Sequence, residues 1–247
     1  MKKIRISAVS YTNTKPFIYG LQHTSILQKI EMSLDNPSDC AQKLIDDVVD
    51  IGLIPIAATL SLPNWEIVTD YCIGAVGAVN SVFIFSNCEI KDIKTLQLDP
   101  QSRSSNNLAI VLIKNFWKAD CHVQLNAINY SKSNDPYTAF VQIGDRTFGK
   151  KDKYPFVYDL AEEWHIFTGL PFMFAAWIAN KPIPVNFITE FNQSLKYGLD
   201  HRRELLKELP AREDFDLDDY LMHKLDFSLT EDKKKAMVIF LDYVKQL

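Results

Sequence analysis

The sequence predicts an α/β protein of two lobes, each a mainly parallel sheet flanked by helices, followed by a helical tail. Three observations carry this. Lys29–Pro55 reads strand, helix, strand at the spacing of a βαβ unit. Thr95–Trp117 reads strand, small-polar loop, helix. Phe172–Ala179 is a late apolar and aromatic run that would return the chain to the first lobe, before a helical remainder from Pro184. The expected lobes are 1–86 together with 185–247, and 87–184, with a ligand cleft between them.

In order, Lys3–Val9 alternates apolar and polar residues as a strand does. It feeds the polar turn Ser10–Lys15 and a short helix carrying Phe17, Ile18 and Leu21. Such a turn lies at the carboxyl edge of a sheet, where open α/β sheets bind ligands. Lys29–Leu34 is a second strand, and Asn36-Pro37 opens a helix with proline at its first position. Its inward face is expected to be Ala41, Leu44, Ile45 and Val48. Asp50–Pro55 is a continuous apolar run, suited to a strand buried on both faces.

Glu66–Ser86 is β-rich, with Gly74 and Gly77 marking bends and Ser81–Ser86 a buried strand. Asn87–Lys94 has the composition of a connection between lobes. His122–Ile128 and Ala139–Arg146 read as strands, the second ending in Gly-Asp-Arg. Val157–Phe167 reads as a helix with Leu160, Ala161 and Trp164 inward and Gly169 placed to end it. In the tail, Phe187, Ile188, Phe191, Leu195 and Leu199 make one helical face, and Asp218–Leu225 a short helix. Thr230 caps a last helix with Met237, Phe240, Leu241 and Val244 inward.

The totals narrow the function. The 247 residues carry a formal net charge of −4, without the basic excess of a nucleic-acid binder. No apolar run approaches the length needed to cross a bilayer. Met1–Ser10 lacks the pattern of a secretory signal, so a cytoplasmic location is expected. Four dispersed cysteines fit reduced thiols rather than a disulfide framework, and five dispersed histidines give no zinc spacing. The expectation is a protein without metal or cofactor.

The loop Gln101–Asn106, QSRSSN, carries the first functional signal. Ser104 or Ser105 would cap the helix that follows, whose unpaired N–H groups and dipole attract anions. The plainer alternative is that the serines only cap, with Arg103 paired to Asp99.

Six segments in order then resemble one family: SYTNTKPF at Ser10–Phe17, VDIGLIPIA at Val49–Ala57, CIGAVGAVNSVFIFS at Cys72–Ser86, LDPQSRSSNNL at Leu98–Leu108, IGDRTF at Ile143–Phe148 and TGLPFMFAAW at Thr168–Trp177. Together they resemble the chorismate dehydratase of the futalosine route to menaquinone. The resemblance implies a type 2 periplasmic-binding-protein fold acting as a cytoplasmic, cofactor-independent lyase. Its reaction removes water from chorismate, a dicarboxylate, to give 3-[(1-carboxyvinyl)oxy]benzoate.

The resemblance further implies that Asn13 and Ser81 are catalytic. It assigns substrate contacts to Tyr11, Ser102, Arg103, Ser104, Ser105, Asn106 and Gly144. Ser104 stands where the family pattern has threonine, which keeps the hydroxyl. Each has a plainer role: Asn13 as a helix cap, Ser81 as a strand-edge serine, Arg103 in a structural ion pair. Asp145 and Arg146 are expected to brace each other or the hinge.

Two other readings share the fold. The sister enzyme that makes dihydroxynaphthoate has a His-Glu pair where this chain has Gly144-Asp145. A non-catalytic binder of small anions is the other. A transport receptor would need a signal peptide, and a regulator an added DNA-binding domain, for which the strand at Lys3–Val9 leaves no room. Oligomeric state is not legible in the sequence.

Overall fold

Two mixed sheets, each backed by helices, organise the chain; the computed structural model describes residues 3–125 and 130–247. The first sheet has six strands, β1 (Ile4–Val9), β2 (Ile30–Asp35), β3 (Ile51–Pro55), β4 (Glu66–Ala75), β10 (Phe172–Ala179) and β11 (Asp226–Ser228), in the order β11-β4-β10-β3-β1-β2. The second has five, β5 (Val82–Ser86), β6 (Thr95–Gln97), β7 (His122–Gln124), β8 (Thr138–Ile143) and β9 (Phe156–Asp159), in the order β7-β6-β8-β5-β9.

The βαβ unit forms as expected. β2 and β3 flank β1, both parallel to it, and α2 (Pro37–Ile45) starts with proline in its first turn. Every residue of β3 is buried, as its apolar run implies. In α2 the inward face is Cys40, Ala41 and Leu44. Val48 falls beyond the helix end and is half exposed, which corrects its expected place in that face.

Pairing corrects the lobe boundaries and the expected parallel character. β5 belongs to the second sheet, antiparallel to β8 and β9. β10 belongs to the first, antiparallel to β3 and β4. The chain therefore crosses between sheets at 76–81 and returns at 169–171, and each sheet mixes both pairings. The segment Asn87–Lys94 is not the crossing, since β5 and β6 lie in the same sheet.

Two elements differ in kind from the periodicity. Phe156–Asp159 is a strand; the helix α4 (Leu160–Thr168) begins three residues later than expected, where Asp159 accepts from the Ala161 and Glu162 N–H groups. Val157 and Tyr158 favour a strand by type, and β5 supplies the partner. Gly169 ends α4 at φ 72°, the left-handed position that favours glycine. The strand expected over His122–Ile128 is seen as β7, and Asn126–Ile128 lie outside the described residues.

The tail is helical apart from β11: α5 (Val185–Asp200), α6 (Arg202–Glu208), α7 (Leu217–Asp219) running into a π-turn over Tyr220–Lys224, and α8 (Glu231–Val244). Thr230 caps α8 by accepting from Lys233 N–H. Lys233 itself is fully buried, giving hydrogen bonds to the Asp226 and Ser228 carbonyls and so holding β11 in place.

Candidate active site

The first wall comes from the turn after β1. Thr12 is held from the opposite lobe: its N–H and hydroxyl donate to the Asp145 carboxylate at 3.0 and 2.9 Å. Thr14 donates its hydroxyl to Asn13 Oδ1 at 3.1 Å, which leaves the Asn13 amide N–H₂ as the free end. The helix α1 (Lys15–Gln22) takes no side-chain cap bond, so Asn13 does not serve as its cap.

The facing wall is the loop before α3 (Ser104–Val111). Asp99, fully buried, organises it. Its carboxylate accepts from Gln101 N–H at 2.9 Å, Ile143 N–H at 3.0 Å and Arg146 Nη2 at 2.6 Å. Ser102 Oγ accepts from Ser105 N–H at 3.1 Å, so the capping hydroxyl is Ser102 rather than Ser104 or Ser105. Ser104 Oγ instead accepts from Ala57 N–H of the first lobe at 3.0 Å, and its own proton is left to give. The N–H groups of Ser104 and Asn106 have no partner within the helix.

Arg103 and Asn106 do not join this wall. Arg103 donates to Gln42 Oε1 of α2 at 3.2 Å, outside the cleft, and does not pair with Asp99; Arg146 does. Asn106 spends its side chain on Asp99 N–H and on the Asp99 and Ser102 carbonyls, holding the loop's shape. Asp145 and Arg146 do not pair with each other among the described residues: Asp145 reaches Thr12 of the first lobe, beside the hinge, and Arg146 reaches Asp99 of its own lobe.

At the hinge, Ser81 C=O accepts from Gly144 N–H at 2.8 Å. Gly144 sits at φ 63°, and a Cβ there would lie 2.5 Å from the Tyr11 ring, so both backbone and space call for glycine. Tyr11 OH donates to Gln101 Oε1, and Arg146 Nη2 reaches the same phenol at 3.4 Å. Burial pushes the Tyr11 phenol above its ordinary pKa against the pull of Arg146. Beneath Ser81, the buried Tyr220 donates its hydroxyl to Ser81 Oγ at 2.8 Å.

Between the walls lies a small, partly enclosed cavity of about 50 Å³. Tyr11, Asn13, Ser81, Ser102, Ser104, Ser105 and Gly144 all line it. The rest is largely apolar, with Val9, Ile73, Val82, Ile143, Phe174 and Leu225 prominent. Among the described residues lining it there is no Asp, Glu, His, Lys, Arg or Cys. The wall thus offers apolar surface to a ring and neutral donors to its polar substituents. Among the described residues no cluster of His, Cys, Asp and Glu could hold a metal ion, and no helix is long and apolar enough to cross a membrane.

Sequence reasoning missed Thr14, Gln101 and Tyr220, and the apolar wall from Phe174 and Leu225. Thr14 and Gln101 stood inside segments already singled out. Tyr220 and Leu225 carried no local signal, because only the return of the tail beneath the hinge brings them here.

Residues 4–246 match the family described as menaquinone biosynthesis. The chain belongs to the menaquinone biosynthesis family. Membership gives it a role in that pathway. Among solved structures, protein AF1704 from Archaeoglobus fulgidus is similar at 14% identity and TM-score 0.76, over 99% of this chain and 97% of that one. The periplasmic aliphatic sulphonate binding protein SsuA from Escherichia coli is similar at 15% identity and TM-score 0.66, over 100% and 92%. The alkanesulfonate-binding protein SsuA from Xanthomonas axonopodis pv. citri, bound to MOPS, gives 10% and 0.65, over 100% and 93%. At these identities the likeness is one of fold: a type 2 periplasmic-binding-protein architecture.

Proposed function

We propose that this member of the family removes water from chorismate, giving 3-[(1-carboxyvinyl)oxy]benzoate. The observation that carries the reading is the chemistry of the cavity wall, an apolar surface with amide and hydroxyl donors and, among the described residues, no carboxylate, imidazole, amine or thiol. The ring of chorismate suits the apolar part. Its carboxylates suit the Ser104 and Ser105 hydroxyls at the start of α3, where the free N–H groups and helix dipole favour negative charge. The Asn13 N–H₂, turned away from Thr14, would donate to the leaving hydroxyl or to a carboxylate.

In the step itself, the C–H bond at a ring carbon breaks and its proton goes to a base. The C–OH bond on the neighbouring carbon breaks, and hydroxide leaves with that proton as water. The ring gains aromaticity, which supplies much of the driving force, so positioning and electrostatics suffice from the protein. With no basic side chain in the wall, one of the substrate's own carboxylates takes the proton. The sister enzyme's His-Glu pair has no counterpart here: Gly144 lines the cavity, and Asp145 is committed to Thr12.

The test is to incubate the purified protein with chorismate and follow the product by mass. Loss of one water supports the reading. Chorismate bound but returned unchanged sinks it and favours a carrier.

A further inference from the structure

Tyr220 is among the largest fully buried side chains, and the proposed chemistry does not use it directly. Its ring packs nearly at right angles to the stacked pair Phe148 and Phe215, at centroid distances of 5.6 and 5.2 Å. A phenol so placed needs a partner for its hydroxyl, and here the partner is Ser81 Oγ at 2.8 Å. Which oxygen donates follows from acidity. A phenol is the more acidic hydroxyl and an aliphatic alcohol the better acceptor, so Tyr220 gives its proton and Ser81 takes it.

That direction has a consequence for Ser81, itself buried and lining the cavity. With a lone pair occupied by Tyr220, its own O–H has no acceptor among the described residues and is left to donate at the cavity that Ser81 lines.

We propose that Tyr220 is a positioning residue: its hydroxyl fixes Ser81 as a hydrogen-bond donor available to a ligand in the cavity. The proposal rests on the cavity being the chorismate site.

Tyr220→Phe removes the hydroxyl and keeps the ring packing, so it isolates this role. Turnover of chorismate is compared for the wild type, Tyr220→Phe, Ser81→Ala and the double variant, with thermal midpoints to verify folding. The expected result is a fall in kcat of about tenfold or more in Tyr220→Phe with KM changed less than about threefold, the size of one lost oriented hydrogen bond. In the Ser81→Ala background the same substitution should cost less than about threefold, because the path through Ser81 is already gone. An equal loss in both backgrounds, or no loss in the wild-type background, overturns the proposal. If the wild type leaves chorismate unchanged, the reading of the reaction fails and not the pairing, and chorismate affinity by calorimetry replaces kcat across the same four proteins. Non-additive losses of affinity then support the positioning role; additive losses, or no chorismate binding by the wild type, overturn it.

Discussion

The Asp159 carboxylate accepts the backbone N–H of Asn80 at 2.7 Å, tying the start of α4 to the first crossing between the sheets. The same carboxylate accepts from Val79 N–H at 3.0 Å and from Ala161 and Glu162 N–H at 3.1 and 3.3 Å. One buried side chain thus caps a helix and fixes the hinge. Asp159→Ala leaves these N–H groups unpaired and should lower stability by about 2–4 kcal/mol in urea unfolding. A loss under about 1 kcal/mol would contradict the assignment.

The same residue gives a pH signature. Burial, against its four N–H partners, pushes the Asp159 carboxyl up to about 6 from an ordinary 3.8. The folded state then holds its proton more tightly than the unfolded chain, so this contribution to stability falls as pH rises from about 4 to about 6. Asp50 acts with the opposite sign. Burial raises it, but the Arg5 side chain and N–H and Lys181 outweigh that and hold it well below the carboxylate range. Its stabilisation is full above the unfolded value of 3.8 and is lost as pH falls below it. Asp50→Asn should flatten the stability profile below about pH 4 and leave the window from 4 to 6 unchanged in slope.

Gly144→Ala places a methyl group on the Tyr11 ring and a side chain at positive φ. It should destabilise the fold by about 1–3 kcal/mol and weaken chorismate binding at least about tenfold, since Tyr11 loses its seat against Gln101. Calorimetry and thermal melts read both; unchanged affinity would remove Tyr11 from the site.

Asn13→Ala should cut turnover by about a hundredfold or more, as losing an oriented donor does, with little change in melting temperature. Its amide carries no cap and no cross-lobe bond of its own, so the fold does not depend on it. Full activity in this variant would displace the chemistry from Asn13.

Arg103→Ala should leave chorismate affinity within about threefold of wild type, because its guanidinium reaches Gln42 and not the cavity. Ser102→Ala, in contrast, removes the cap of α3 and should cost about 1 kcal/mol in stability. A larger effect of Arg103→Ala on binding than of Ser102→Ala would reverse this reading of the loop.

What the sequence made legible was local. The proline opening α2, the Gly169 stop and the Thr230 cap are chemistry within a few residues of chain. Strand partnership was not legible, because a fully apolar run such as β5 or β10 reads alike in either sheet. The start of α4 was misread although Asp159 offered a cap and Val157-Tyr158 favour a strand; helical spacing masked both. In the site, Ser102, Ser104 and Ser105 line the cavity, while Arg103 lies outside it. Arg103 turns instead to Gln42 of α2, a partner distant in sequence that no local pattern signals. Tyr220 was invisible because its contact with Ser81 spans the chain.

That span bears on how the protein is made. The cavity draws on Val9 near one end and Leu225 near the other, with Tyr220 beneath it. A nascent chain folding from its N-terminus can complete the β1–β3 unit long before the ribosome reaches either residue. Until then the hinge end of the cavity lacks a floor and Ser81 lacks its phenol. The cavity is thereby complete only once the tail through Leu225 has packed beneath the hinge.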